Sequence, residues 1–407
     1  MAERVVTRES WVRENLWLGM SFRDYFKSNL TTFNFIAAII LIVGLPVMVY
    51  RIINGLGPST NLSDTNPWGI WIGFDMMTGV ALAAGGFVMG TAVHLFGMKE
   101  YRPLVRPAIL TGFLGYLFAV IGLMFDLGRY YRLPYPMVVS LGVNSILFLV
   151  AWHVALYLTA QFVEWCPAIW EWLNMKKFRK LFLGLTIGAT VFGVILSTLH
   201  QSALGSLFLL MPSKVHPLWY SSLIPVFFFI SAIAAGITMT VVESMLSHRV
   251  FKEQVPKMAM DHAQFDRITI GLGKAAAAVL FTYFCLKLVG VAHDDNWHYL
   301  ASNWGNWWLV EVVGFVLIPA FLFLIGVRNE NVKLIRFTSV VTVIGVVLNR
   351  VNQSIIAFNW NADEIYYPHW MEVTITITII TIGLITFRWI INRMPILYDH
   401  PDYEVEH

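Results

Sequence analysis

LFLGLTIGATVFGVIL (Leu181–Leu196) runs straight into STLHQSALGS (Ser197–Ser206). The first stretch is sixteen residues without a charge. The second places a His, a Gln and several hydroxyl and small residues within two or three helical turns. In a soluble chain this would read as a helix end. Here the surrounding sequence is nearly all apolar, so the same residues read as a polar site at the rim of a membrane span.

Composition sets that class. Hydrophobic residues make up 57% of the 407 and charged residues 13%, against about 25% charged in an average soluble domain. Ten apolar segments can be marked, at 32–50, 69–97, 105–125, 138–163, 180–199, 221–243, 267–289, 306–327, 334–350 and 370–391. Each approaches the ~20 residues that cross a bilayer core as a helix, and none alternates like a barrel strand. The expected fold is an all-α integral membrane protein of ten spans. The net charge of +3 says nothing about nucleic acid. Cys166 and Cys285 are too few for a four-cysteine iron–sulfur site, and no C-x-x-C-H haem attachment is present; both read as plain buried residues.

Lys and Arg divide unevenly between the two sets of connections. One set carries Arg4 to Lys27, then Lys99 to Arg106, Lys176 to Lys180, Arg249 to Arg267, Arg328 to Arg336, and Arg388 with Arg393; the other holds Arg51, Arg129, Arg132, Lys214 and Arg350. The bias is about fourfold and predicts both termini in the cytoplasm. Trp68, Trp71, Trp219, Trp297, Trp304, Trp307, Trp308, Trp360 and Trp370 gather at outer ends. Residues 1–31 read as a cytoplasmic amphipathic segment rather than as a signal peptide, with Ser10 to Ser28 as one helix on the membrane surface and Trp11, Leu16, Trp17 and Phe26 as its contacts; a poorly ordered tail is the alternative. Residues 32–391 form the membrane domain and 392–407 a cytoplasmic tail.

A short internal match stands out. Trp68 is followed by Ala83, Ala84 and Gly85 at the offsets at which Trp219 is followed by Ala234, Ala235 and Gly236. Two four-helix bundles follow from it, at about 69–199 and 221–350, flanked by spans 1 and 10.

An ionisable group inside a span is a functional candidate because it is costly there. Asp75 lies about two turns into span 2, Asp126 ends span 3 ahead of Arg129, Asn144 falls about two turns into span 4, and His200, Gln201 and Ser202 end span 5. All lie in the outer third of the first bundle. The set suits a quinone, whose carbonyls need hydrogen-bond donors and whose reduction needs proton donors. Gly79, Ala83, Gly85 and Gly86 would make room for its ring. Deeper in, Asp75, His94, His153 and Glu164 are candidates for a proton path to the cytoplasm, with Glu243, Lys274, Glu311 and Arg350 as further intramembrane charges. A haem between His94 and His153 is disfavoured, since their depths differ by about ten residues, or ~15 Å. A secondary transporter and a purely structural anchor are the rival readings.

WGIWIGFD (Trp68–Asp75) with AAGG (Ala83–Gly86), FDLGR (Phe125–Arg129), LSTLHQSALGS (Leu196–Ser206) and PSKVHPLW (Pro212–Trp219) together resemble the NrfD / polysulfide reductase C family, in its ten-span, HybB-like branch. Many relatives place Pro after the Asp-Leu-Gly-Arg motif, where this chain has Tyr130. The resemblance implies a quinone-binding membrane subunit of a respiratory oxidoreductase complex in the bacterial inner membrane, with no haem or iron–sulfur cluster of its own. It would exchange electrons between a periplasmic iron–sulfur partner and menaquinone, with Asp75, Asp126, Arg129, Asn144, His200, Gln201 and Ser202 around the quinone. Menaquinone-reducing members of the branch imply a multihaem cytochrome c and a molybdopterin-family subunit as further partners. A membrane subunit of a periplasmic hydrogenase is the near alternative.

Overall fold

The computed structural model describes residues 8–251 and 262–398. Arg4, Lys252 and Lys257 of the charge count, and the ends of both expected terminal segments, lie outside them. Among the described residues, ten helices are long and apolar enough to cross a membrane: Thr32–Asn54, Trp71–Leu95, Lys99–Asp126, Ile146–Trp172, Lys176–Leu209, Ile224–Val250, His262–His293, Asn303–Arg328, Val332–Ile356 and Trp370–Ile391, spans 1 to 10 in order. With 22 to 34 residues each and ~1.5 Å per residue, all reach across a core of about 30 Å.

Spans 2–5 close into one four-helix bundle and spans 6–9 into a second. Spans 1 and 10 pack together, and span 10 lies against span 3, so the chain's first and last spans cover one side of the first bundle. Spans 2 and 6, which carry the internal match, meet at the seam between bundles. A Cβ on Gly236 would stand 2.8 Å from the Ala84 carbonyl carbon, and one on Gly85 would stand 2.9 Å from Thr240 Oγ1. Backbones that approach this closely need small residues, as membrane helix pairs do. The small residues are therefore a helix contact, not a slot for a ring: Gly79 faces Ala119, and Gly86 faces Gln161 and Ala108.

Two boundaries differ from the sequence reading, and both move site residues. Span 4 begins at Ile146 rather than near 138, because the chain turns through Gly142–Ser145 after a short helix at Tyr135–Val138. Span 5 does not stop at 199; it runs on to Leu209. Its hydroxyls bond back within the helix, Thr198 to the Val194 carbonyl and Ser206 to the Ser202 carbonyl, so they do not compete for the backbone from outside and the helix continues through the polar run.

The two ends of the spans are built differently. At the tryptophan-rich end, Val215 and Phe358 form a bridge that joins two connections. His216 is enclosed there by Trp219, Tyr299, Trp304 and Trp360. At the opposite end, Glu171 of span 4 is fully buried and pairs with Arg106 of span 3 at 3.0 Å and Arg179 of span 5 at 2.9 Å. Arg106 also donates to the Pro395 carbonyl. The chain beyond span 10 is not a free tail as far as 398: Met394, Ile396 and Leu397 are buried against Leu110, Leu114 and Ala168. The N-terminal segment is two helices, Arg8–Asn15 and Phe22–Ser28, rather than one; Trp11 packs on Trp172, and Arg393 bonds the Leu16 carbonyl and Tyr25 hydroxyl.

Candidate functional site

Span 2 loses its α-helical register where glycine and alanine crowd. The Ala84 amide turns to Ala81 rather than to Val80. The Gln201 amide of span 5 donates to the Val80 carbonyl at 3.1 Å, so the break in one helix is met by a side chain of the other. That bond fixes Gln201, and with it the turn carrying His200.

His200 is wholly buried, nine residues before the end of span 5 rather than at its end. Its ring lies 5.6 Å from that of Tyr116 in span 3, which packs at 4.5 Å on Tyr157 of span 4. Ser197 and Gln201 flank the Tyr116 hydroxyl, and His153 is the neighbouring imidazole. Both His200 ring nitrogens lack a hydrogen-bond partner, as do Tyr116 Oη, Ser197 Oγ, Gln201 Oε1 and His153 Nδ1. Each buried polar atom left so costs about 1–3 kcal/mol. Six in one place mark a group built to bond something besides the protein: a polar ligand or water. Tyr116, Tyr157 and Ser197 escaped the sequence reading because a Tyr or Ser within an apolar run carries no charge to flag it.

Asp75 and Asp126 form a separate group, on the side of the first bundle covered by spans 1 and 10. Asp75 sits in a π-helical turn, Trp71–Met76, the kind of helix irregularity often found at functional positions. Its Cβ packs on Gly122, and its Oδ2 accepts a 2.8 Å bond from Thr376 of span 10. Asp126 keeps a buried Oδ1 with no partner. The cation beside it is Arg51 of span 1, not Arg129. Arg51 is 1% exposed and donates to the Phe125 and Leu127 carbonyls at 2.8 and 2.9 Å, on either side of Asp126. Arg129 is exposed. Asp75 and His200 share no hydrogen bond or ion pair.

The remaining expected residues scatter. Asn144 is exposed in the connection before span 4, so it is no longer two turns inside that span. Ser202 is half-buried, and its carbonyl accepts from the Ser206 hydroxyl. His94 is exposed at the far end of span 2, away from the buried Asp75. Glu164 accepts from Thr190 of span 5 at 2.5 Å and lies near Tyr157. Gln161 donates to the Tyr157 hydroxyl at 3.0 Å and keeps an unpartnered Oε1. Polar side chains thus descend from the His200 group through Tyr157 and Gln161 to Glu164. Lys274 is exposed.

The second bundle has its own buried charges. Glu311 accepts from Trp219, Asn349 and Asn352 at 2.8, 2.6 and 2.5 Å. Arg350 donates to the Phe228 carbonyl and to Ser231, and its guanidinium stacks 3.9 Å from the Phe228 ring. Lys287 lies between the Phe227 and Trp308 rings, 5.4 and 5.9 Å from their centroids.

Ten apolar helices around buried polar groups define a multi-pass membrane protein. Residues 58–355 match the family model described as "Polysulphide reductase, NrfD", and the chain belongs to that family. It is 52% identical over 383 residues to a protein of Nitratidesulfovibrio vulgaris, covering 94% of this chain and 98% of the relative. It is 27% identical to the probable Ni/Fe-hydrogenase 2 b-type cytochrome subunit of Escherichia coli, covering 88% and 90%. It is 24% identical to the integral membrane subunit of the menaquinone reductase of N. vulgaris, covering 85% and 87%.

Proposed function

We propose that this chain is the quinone-reacting membrane subunit of a respiratory oxidoreductase complex. It binds menaquinone at the tryptophan-rich end of the first bundle, and that end faces the periplasm. The observation that carries the reading is the His200 group, with its unpartnered ring nitrogens, hydroxyls and amide oxygen. A quinone offers two carbonyl acceptors, and the hydroquinone two donors, so a set holding both donors and acceptors serves either redox form. His200 and Tyr116 donate to a carbonyl, and Ser197 and Gln201 orient the ring. Reduction takes two electrons and two protons. The electrons come from a periplasmic iron–sulfur partner. The protons come from Asp75 and Asp126 or through His153, Tyr157, Gln161 and Glu164 from the cytoplasmic side, and the second route makes turnover electrogenic. Membership of the family and the two named redox relatives support the reading.

The relatives are a hydrogenase subunit and a menaquinone reductase subunit, at similar identity. We favour electrons arriving from a periplasmic cytochrome c, with a multihaem cytochrome and a molybdopterin-family subunit beside the iron–sulfur chain. Supply by a hydrogenase is the alternative, and the chains that co-purify from native membranes separate the two. The site is tested by titrating a menaquinone analogue into the purified complex. His200→Ala is expected to weaken binding about tenfold, the equivalent of ~1.4 kcal/mol, with the complex still assembled. Unchanged affinity removes His200 from the site.

A further inference from the structure

The family match spans residues 58–355. Spans 1 and 10, Thr32–Asn54 and Trp370–Ile391, lie outside it. Yet the two carboxylates nearest the tryptophan-rich end of the first bundle take their partners from these two helices.

Thr376 of span 10 makes the bond to Asp75 Oδ2. It is 4% exposed, and Gly122 behind Asp75 leaves the carboxylate no space to retreat, since a Cβ there would meet Asp75 Cβ at 2.8 Å. Arg51 of span 1 works through the backbone. Span 3 ends at Asp126, where helix carbonyls are left without amide partners. Arg51 bonds the carbonyls of Phe125 and Leu127 with two different nitrogens, a use of the rigid guanidinium fork that lysine does not reproduce. The peptide group that leads into Asp126 and the one that follows Leu127 are thereby fixed. The carboxylate they carry keeps a buried oxygen free of any protein bond. Glu372 of span 10 is a further carboxyl group near Asp126. Its own oxygens are occupied by the Tyr366 hydroxyl at 2.6 Å and the His369 and Asn61 amides at 2.7 and 3.1 Å.

We infer that spans 1 and 10 are working parts of the site: Arg51 and Thr376 are positioning residues that aim the Asp126 and Asp75 carboxyl groups for proton exchange with the quinone. This rests on the quinone reading above. In the forward direction the iron–sulfur partner supplies two electrons to the ring. Each carboxylic acid gives the proton on its Oδ to one quinone oxygen, forming an O–H bond and leaving a carboxylate. Protons from the aqueous side at the tryptophan-rich end restore the acids. Positioning matters here because a reacting group displaced by about 1 Å can lose on the order of a hundredfold in rate.

The test uses the complex isolated from native membranes, with a water-soluble menaquinone analogue as substrate. Binding and turnover are measured separately for the unmodified complex and for Thr376→Val, Thr376→Ser, Arg51→Gln and His200→Ala. Thr376→Val keeps the side-chain shape and removes one hydrogen bond. We expect its kcat to fall about tenfold or more with KM and analogue affinity changed less than about threefold, and Thr376→Ser to restore it. Arg51→Gln is expected to behave as Thr376→Val does. Wild-type kcat in Thr376→Val overturns the inference. So does a loss in which analogue binding falls in step with kcat, or one that Thr376→Ser does not restore, since these mark a structural role. Failure of the quinone reading looks different: the unmodified complex binds no analogue, or His200→Ala binds it as tightly as the unmodified complex.

Discussion

Gly236 lies against the backbone of Ala84 so closely that a single added carbon would come within 2.9 Å of the Ala84 carbonyl oxygen. These residues sit in the two matched Ala-Ala-Gly runs. The internal repeat therefore marks the surface on which the two bundles join. Gly236→Val is expected to force spans 2 and 6 apart and to cost about 1–3 kcal/mol, read as a lowered unfolding temperature in detergent. A seam this close also argues against a transporter whose two halves rock past each other, because such motion needs an interface that can slide.

Tyr116→Phe removes one hydroxyl from the group around His200 while keeping the ring contacts to His200 and Tyr157. The unfolding temperature should hold or rise, because a buried hydroxyl without a partner disappears. Quinone-analogue affinity should fall by about threefold to tenfold. Measuring both in one preparation separates a ligand contact from a packing contact.

Glu311 of span 8 holds the second bundle together by accepting from three side chains, two on span 9 and one on the connection before span 6. Glu311→Leu leaves those donors empty and takes away the carboxylate that acts on Lys287 and Arg350. The loss should reach about 3–5 kcal/mol. Glu311→Gln keeps an acceptor and should lose less. Thermal unfolding of the two variants side by side checks the order.

Outside the membrane spans, burial among aromatic rings pushes the His216 imidazole down to about 4 from its ordinary 6.5. The folded chain therefore keeps His216 neutral where the unfolded chain protonates it. This contribution to stability is complete above pH 6.5 and is lost as pH falls from 6.5 towards 4. Its Nδ1 accepts from the Leu218 amide at 3.2 Å, a bond that protonation removes. His216→Phe should flatten the fall of unfolding temperature across that interval.

The ten spans were legible because an apolar run of twenty residues has one stable form in a bilayer. Their ends were less so. Residues 138–141 are as apolar as a span, and only the Gly142–Ser145 turn shows that span 4 starts later. Ser197 to Ser206 looked like an end because hydroxyl residues often cap helices, yet here the hydroxyls bond within the helix. Among site residues, His200 and Gln201 could be picked out by being polar in an apolar run. Arg51 could not: as a charge after an apolar run it counts as a connection residue, and its burial depends on the end of span 3, far away in sequence. Tyr116 and Thr376 were hidden for a related reason, since weakly polar residues become informative only once their neighbours are known.

Glu171 gathers Arg106 and Arg179, and Arg106 in turn reaches the carbonyl of Pro395. A ribosome makes spans 3 to 5 long before it makes Pro395. During synthesis the first bundle enters the membrane with one bond of its basic-end clasp still missing, and Asp75 and Asp126 wait for span 10 to arrive beside them. The segment that follows span 10 is thus a latch on the first bundle built. A chain cut before Pro395 would lack that bond, and its first bundle would stand unlatched at the basic end.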